Sequence, residues 1–311
     1  MTALSMRHLR YFDALARHGH FGRAAEDCAI SQPALSTQIR DLEELLGAPL
    51  IERGGRQARL THLGEEFASR ARAILQAVDE LEDFARARSG PGLGRLRLGI
   101  IPTVAPYLLP DLMTALQRHF PGIELRPREA VTQKLIDELQ DGRLDAAILA
   151  LPAPENGLTG TLLFEEEFVL VRPAEEADHP VPNAEGLRTM RLLLLEEGHC
   201  FREQALAFCA PAQNPPRDLI EGSSLSTLVQ MVSAGIGVTL VPEMALSVET
   251  RSARVALQRL AQPRPTRSIG MVWRNSTPLV AELREVAAMV QEIRREEIRR
   301  EEVRRAHPRF A

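Results

Sequence analysis

The chain has 311 residues, 44% of them hydrophobic, and a formal net charge of −4. That is enough chain for two or three globular domains, and the charge carries no overall signature of nucleic-acid binding, so such an activity would have to rest on where charges are placed. No apolar run approaches the roughly 18 residues needed to span a membrane, and the first ten residues lack the charged-then-apolar order of a signal peptide, which together predict a cytoplasmic protein with no membrane association.

Residues 6 to 18 place Leu9, Phe12, Leu15 and Ala16 on one helical face, with Gly19 as the stop. A second short helix over Phe21 to Cys28 is rich in small residues that permit close packing, and Cys28 in it is read as a packed core thiol. Ser31 is an N-cap candidate with Pro33 in the first turn of a third helix that runs to Leu46 and stops at Gly47. Leu35, Ile39, Leu42 and Leu46 are spaced to face a core. Gln32, Pro33, Ser36, Thr37 and Arg40 are left on the outer side, where short polar groups and a cation can reach base edges or phosphates. Residues 1 to 64 hold eight arginines against seven acids, yet Arg53, Arg56 and Arg59 gather around a Gly54-Gly55 turn between two short strand-like runs, a basic wing suited to phosphate contact.

Phe21 to Ala25, Ser31 to Ile39, Leu42-Glu43, Leu46-Gly47 and Leu50 to Arg53 resemble the winged helix-turn-helix of LysR-type transcriptional regulators, over nearly all of the first 65 residues. The resemblance implies a partner in double-stranded DNA, and RNA polymerase at the promoter. Next, Phe67, Ala71, Ile74, Val78, Leu81 and Ala85 recur at steps of four and three, the period of a two-helix seam about 35 Å long. That predicts a homodimer reading a pseudo-palindromic site, with a homotetramer reading two in tandem.

The predicted domains are a winged helix-turn-helix over residues 1–62, a dimerisation helix over 63–88, a hinge over 89–94, an effector domain over 95–295 and a charged tail over 296–311. From Arg95 strands and helices alternate: strand 96–101, helix 107–119, strand 123–128, helix 132–140 and strand 144–149, a parallel α/β pattern. Phe168 to Val171 and Ile269 to Trp273 read as strands crossing to and from a second α/β lobe over about 165–267, containing strand 191–195, helix 224–234 and strand 238–241. The first lobe takes about 95–164 and 268–295. This pattern resembles the effector domain of the same family, whose two lobes look like a periplasmic binding protein. The final Arg/Glu run reads as a solvated helix extension or frayed tail.

Ligands of open α/β domains lie beyond the carboxyl ends of the strands, and Thr103 and Thr132 occupy two such places, where helix capping would also account for a threonine. Cys200 and Cys209, nine residues apart, are the other two of only three cysteines. If their segment is helical, its rise separates their Cα atoms by about 13 Å, beyond the roughly 4.4 to 6.8 Å that a disulfide tolerates, so joining them would require the helix to unwind. Structural disulfides are rare in the cytoplasm, which favours a reversible thiol switch.

Leu98 to Pro110, Glu129 to Thr132, Glu197 to Ala205 with Cys209, and Ser224 to Leu228 with Met231-Val232 and Ala234-Gly235 are similar to the hydrogen-peroxide-sensing branch of that family. The resemblance implies Cys200 as the thiol that hydrogen peroxide oxidises, Cys209 as the resolving thiol, and Thr103, Thr132, His199 and Glu203 as the polar surround, Glu203 standing where that branch more often has aspartate. Arg202, like His199, flanks Cys200 and is counted with this set. It also implies a dithiol reductant for reset, no cofactor and no catalytic turnover as the purpose. Three other readings remain on the sequence: a cleft that takes a small organic acid, a metal site built on His199, Cys200 and Cys209, and a thiol peroxidase.

Overall fold

The computed structural model describes residues 4–52, 58–88, 94–153, 157–209 and 219–306. The chain divides into two compact units, Met1–Gly90 and Pro91–Ala311.

In the first unit α1 (Met6–His18) ends at Gly19 in the left-handed conformation. In α2 (Phe21–Asp27) the first turn is capped by the His20 ring, which accepts from the amides of Gly22 and Arg23, so Cys28 falls at the C-cap rather than inside the helix. Ser31 caps α3 (Gln32–Leu46) through Ala34 N–H, with Pro33 in the first turn as predicted. Phe12, Leu15, Ala24, Leu35, Ile39 and Leu42 are buried together with Leu50 and Ala68, and Cys28 packs half-buried on this core. Leu46, predicted to face the core, is 38% exposed because the helix stops one residue later. Glu43 Oε1 accepts from Leu50 N–H at 2.7 Å and Ile51 N–H at 3.1 Å, fastening the wing to α3. The wing strands meet through an Ile51–Leu60 bridge; Arg53, Arg56 and the Gly54-Gly55 turn between them lie outside the described residues.

The predicted seam runs along α4 (His62–Arg88) and has two fates. Ala71 is buried and Phe67 lies edge-on to Phe12 at 5.4 Å, whereas Ile74 and Leu81 are 46% and 65% exposed. One end of the stripe thus completes the head's own core, while Ile74 and Leu81 beyond it stay exposed. The hinge, apart from Gly94, lies outside the described residues.

The second unit opens with β1 (Arg95–Ile100), α5 (Ala105–His119), β2 (Glu124–Glu129), α6 (Thr132–Gln140) and β3 (Ala146–Leu151), with β1 pairing parallel to both β2 and β3. Then β4 (Leu158–Pro173) is a single long strand. It is followed by α7 (Ala184–Thr189), β5 (Leu192–Leu195), α8 (Cys200–Cys209), β6 (Leu219–Gly222), α9 (Leu225–Ser233), β7 (Val238–Pro242), α10 (Leu246–Glu249), β8 (Val255–Arg259), β9 (Thr266–Arg274) and α11 (Val280–Ala306). Strand order is β2-β1-β3-β9-β4-β7-β5-β6, with β8 also on β4.

The lobes are joined differently from the sequence expectation. Only β4 crosses as a strand: residues 158–167 pair with β9, and residues 168–173 pair with β7 and β8. Ile269 to Trp273 stays within the first sheet between β3 and β4, and the return crossing is the segment between β8 and β9, held by a Phe168 N–H to Pro265 carbonyl bond of 2.9 Å. Each lobe buries its own apolar core, the first around Leu98, Leu112, Ile148 and Trp273, the second around Phe168, Leu194, Phe201 and Leu228. The charged run after residue 295 continues α11 to Ala306, with Arg295–Glu292 and Arg300–Glu296 pairs along it.

Candidate functional site

The two predicted threonines stand where strands of the first lobe end. Thr103 follows β1, is buried, and does not cap α5; its hydroxyl accepts from Arg267 Nη1 at 2.7 Å and its carbonyl from Arg267 Nη2 at 3.0 Å. Arg267 is itself buried and gives its other donors to Glu166 Oε1 at 2.9 and 2.7 Å, while Glu166 Oε2 accepts from Met244 N–H at 2.9 Å. A buried ion pair is tolerable only when its remaining donors and acceptors are satisfied, and here Thr103 and Met244 satisfy them. With one lone pair of its oxygen occupied by Arg267, the Thr103 hydroxyl keeps its proton to donate to a ligand.

Thr132 opens α6, but the N-cap is Val131, which has no capping side chain. The Thr132 Oγ1 is buried without a hydrogen-bond partner. The capping account of this threonine therefore fails, and a buried, unsatisfied hydroxyl is a costly feature that a small polar ligand would relieve.

Cys200 begins α8 in the second lobe, half-buried and a free thiol, yet it packs against the core of the first. The approach is made at Gly198, whose φ of +94° suits glycine and whose missing Cβ would lie 3.8 Å from Val131. The turn that delivers His199 and Cys200 thus rests on the residue preceding Thr132. His199 is half-buried; burial pulls its imidazole below its ordinary pKa, with Glu196 and Glu129 opposing. Phe201 is sealed in the second core, edge-on to Phe168 at 5.0 Å, with the Arg267 guanidinium 5.8 Å from its ring centre.

Two expected members stand apart from this group. Arg202 donates to the Leu195 carbonyl at 2.9 Å and pairs with Glu221 at 2.8 Å, fastening α8 to β5 and the edge strand β6, so its charge is already compensated there. Glu203 lies in the first turn of α8 with its side chain exposed. Sequence reasoning missed Arg267 and Glu166, and also Gln204, whose Oε1 is buried without a partner one turn along α8 from Cys200. Among the described residues no cluster of His, Cys, Asp and Glu is arranged to hold a metal ion, and no helix is long and apolar enough to cross a membrane.

On α3, Gln32, Pro33, Thr37 and Arg40 are exposed and Ser36 is half-buried. The Thr37 hydroxyl donates to the Pro33 carbonyl at 3.1 Å, which leaves it as an acceptor toward solvent.

Residues 6–65 match the model of the bacterial regulatory helix-turn-helix protein, lysR family, and residues 89–295 match the LysR substrate binding domain. A Streptomyces viridosporus protein named as a probable hydrogen peroxide-inducible genes activator is 43% identical over 94% of this chain and 95% of its own. The DNA-binding transcriptional dual regulator OxyR of Escherichia coli K12 is 39% identical over 93% of this chain and 95% of its own. A cysteine-to-aspartate variant of full-length OxyR from Pseudomonas aeruginosa superposes with a TM-score of 0.73 at 35% identity, covering 94% of this chain and 96% of that one. A cysteine-to-serine variant of Corynebacterium glutamicum OxyR with hydrogen peroxide bound gives a TM-score of 0.62 at 33% identity, over 95% and 94% of the two chains. Matched at both its reading head and its two-lobed unit, the chain belongs to the LysR family of bacterial regulators.

Proposed function

We propose that this protein is a cytoplasmic DNA-binding regulator that senses hydrogen peroxide at Cys200 and answers by forming a reversible Cys200–Cys209 disulfide. The observation that carries the reading is the unpartnered, buried Thr132 hydroxyl beside the turn that delivers Cys200, with Thr103 held as a donor by Arg267. Relatives named for peroxide-inducible genes support it and do not favour a small organic acid in the cleft.

In this reading peroxide lies between the two threonine hydroxyls, which orient one oxygen toward the sulfur, while His199 and Gln204 complete the polar surround. The Cys200 thiolate attacks one oxygen, the O–O bond breaks, and the leaving hydroxide takes a proton to become water; Cys200 is left as a sulfenic acid. The Cys209 thiol then attacks that sulfur, a second water leaves, and a disulfide remains that a dithiol can reduce.

Cys200 and Cys209 are the two ends of α8, about 13 Å apart along the helix, while a disulfide needs Cα atoms within about 7 Å. Oxidation therefore requires α8 to unwind and withdraws Phe201 and Ala205 from the second core, where both are fully buried. That cost makes the reduced and oxidised folds alternatives rather than variants of one state. The exposed part of the α4 seam fits pairing in a homodimer or homotetramer, with Gln32, Pro33, Ser36, Thr37 and Arg40 of α3 and the wing's Arg53 and Arg56 meeting a pseudo-palindromic site, and RNA polymerase reading the result. Turnover of peroxide for its own sake is not the purpose.

The test is peptide mass spectrometry of the anaerobically reduced chain after one equivalent of hydrogen peroxide. A rapid intramolecular Cys200–Cys209 bond with Cys28 free supports the proposal; persistent free thiols at both positions overturn it.

A further inference from the structure

The reacting groups are divided between lobes: Thr103 and Thr132 belong to the first, Cys200 to the second. Among the described residues the chain passes between the lobes at β4 and at the segment before β9, a geometry that permits hinge motion. Something must fix the spacing between thiol and hydroxyls, because an error of about 1 Å in reacting geometry costs on the order of a hundredfold in rate.

A three-residue chain of hydrogen bonds spans the lobes within a few residues of that site. Tyr107 lies in the first turn of α5, four residues after Thr103, and among the described apolar side chains it is the one packed against both lobe cores. Its phenol donates to Glu249 Oε1, at the end of α10 in the second lobe, at 2.6 Å. The other oxygen of Glu249 accepts from the Ser226 hydroxyl on α9 at 2.5 Å. Both carboxylate oxygens are thus used, one toward each lobe, and hydrogen bonds to an ionised acceptor are roughly twice as strong as neutral ones. Burial, with the Glu249 carboxylate beside it, raises the Tyr107 pKa, so the phenol remains a donor throughout the neutral range. Nothing in the peroxide chemistry uses these three residues.

We propose that Tyr107, Glu249 and Ser226 form a latch between the lobes that fixes the distance from the Cys200 thiol to the Thr103 and Thr132 hydroxyls, setting both the rate of oxidation and the preference for hydrogen peroxide over bulkier hydroperoxides. Tyr107 and Glu249 are then positioning residues. The inference rests on the peroxide reading of Cys200. With the latch closed, the site is sized by the lobe spacing, and a peroxide carrying an aryl or alkyl group meets the opposite wall. With the latch cut, the two crossings flex, the small peroxide is held less well, and the large one is admitted more easily.

The experiment measures second-order oxidation of Cys200 in the full-length reduced chain by rapid quench, alkylating the remaining Cys200 thiol and quantifying its loss by peptide mass spectrometry. It compares hydrogen peroxide with cumene hydroperoxide in Tyr107→Phe, Glu249→Ala, Glu249→Gln and the Tyr107→Phe/Glu249→Ala double variant. Tyr107→Phe keeps the ring packing and removes one hydroxyl. It and Glu249→Ala are each expected to slow the hydrogen peroxide reaction about tenfold and to shift selectivity toward the bulky peroxide. The double variant should be no slower than either alone, since both cut one chain. Glu249→Gln can still accept from one hydroxyl and donate to the other, and should recover most of the rate. A residue that served stability alone would lower Tm and leave the selectivity ratio unchanged. A wild-type chain that reacts alongside variants of equal rate and ratio overturns the latch by itself. A wild-type Cys200 inert to hydrogen peroxide overturns the peroxide reading and the latch with it.

Discussion

Arg267 grips Thr103 at two points, the hydroxyl at 2.7 Å and the carbonyl at 3.0 Å, and is itself neutralised by Glu166. The grip joins the start of β9 to the residue just beyond β1, so the position of the Thr103 hydroxyl is set by a strand remote in sequence. Removing only one member of a buried ion pair leaves the other charge uncompensated, at a cost of about 3 to 5 kcal/mol. Arg267→Met is expected to destabilise the chain by about that amount, and adding Glu166→Leu to recover part of it, since the uncompensated charge goes while the Met244 N–H and the Thr103 carbonyl lose their partners. Urea unfolding checks both; a double variant as unstable as the single would sink the account.

The two threonines should separate stability from chemistry. Thr132→Val removes an oxygen that has no partner in the resting protein, so Tm should hold or rise slightly while Cys200 oxidation slows. Thr103→Val instead strands an Arg267 N–H that now has an acceptor, and should cost about 1 to 3 kcal/mol. Equal loss of Tm in the two variants would show that Thr132 has a structural partner after all.

What was legible in the sequence followed local pattern. Ser31, Pro33 and Gly47 mark the ends of α3 through chemistry contained within one turn, and Thr103 and Thr132 could be placed because strand ends are local events. Arg267 gave no such signal: its partners Glu166 and Thr103 lie 101 and 164 residues away, and an arginine in a strand reads as an exposed one. The crossing is hard to place for a related reason: Glu165 to Glu167 interrupt the apolar pattern just before Phe168, so one continuous strand reads as ending there and a new one as beginning. Edge strand β6 is four residues long, Leu219 to Gly222, too short for alternation to register. The His20 cap gives no sequence signal, because cap preference favours short oxygen side chains over an imidazole.

His199 gives the chain an acid-side dependence whose sign is fixed. Burial lowers its folded pKa below the ordinary 6.5, so the unfolded chain takes up the proton first as pH falls. Stability is complete above about 6.5 and declines through the window between the unfolded and the depressed folded value. In His199→Gln that part of the decline should vanish. Urea unfolding of both chains at about pH 7.5 and about pH 5.5 reads it as a difference of differences, so carboxylates common to both cancel. A variant that loses as much stability on acidification as the wild type rules the assignment out.

Arg40 allows the reading head to be tested without knowing its operator. It is exposed on the outer side of α3, and the counterions released by each phosphate contact contribute about 0.9 to the slope of log affinity against log salt. Arg40→Ala should weaken binding to random-sequence duplex DNA and reduce that slope by about 1, since a neutralised phosphate is lost whatever the bases are. Ala34→Ser, on the same exposed surface and without a charge, should leave the slope where it was. If affinity for random DNA and its salt dependence are both unmoved by Arg40→Ala, Arg40 makes no phosphate contact and those contacts belong to other residues of the head.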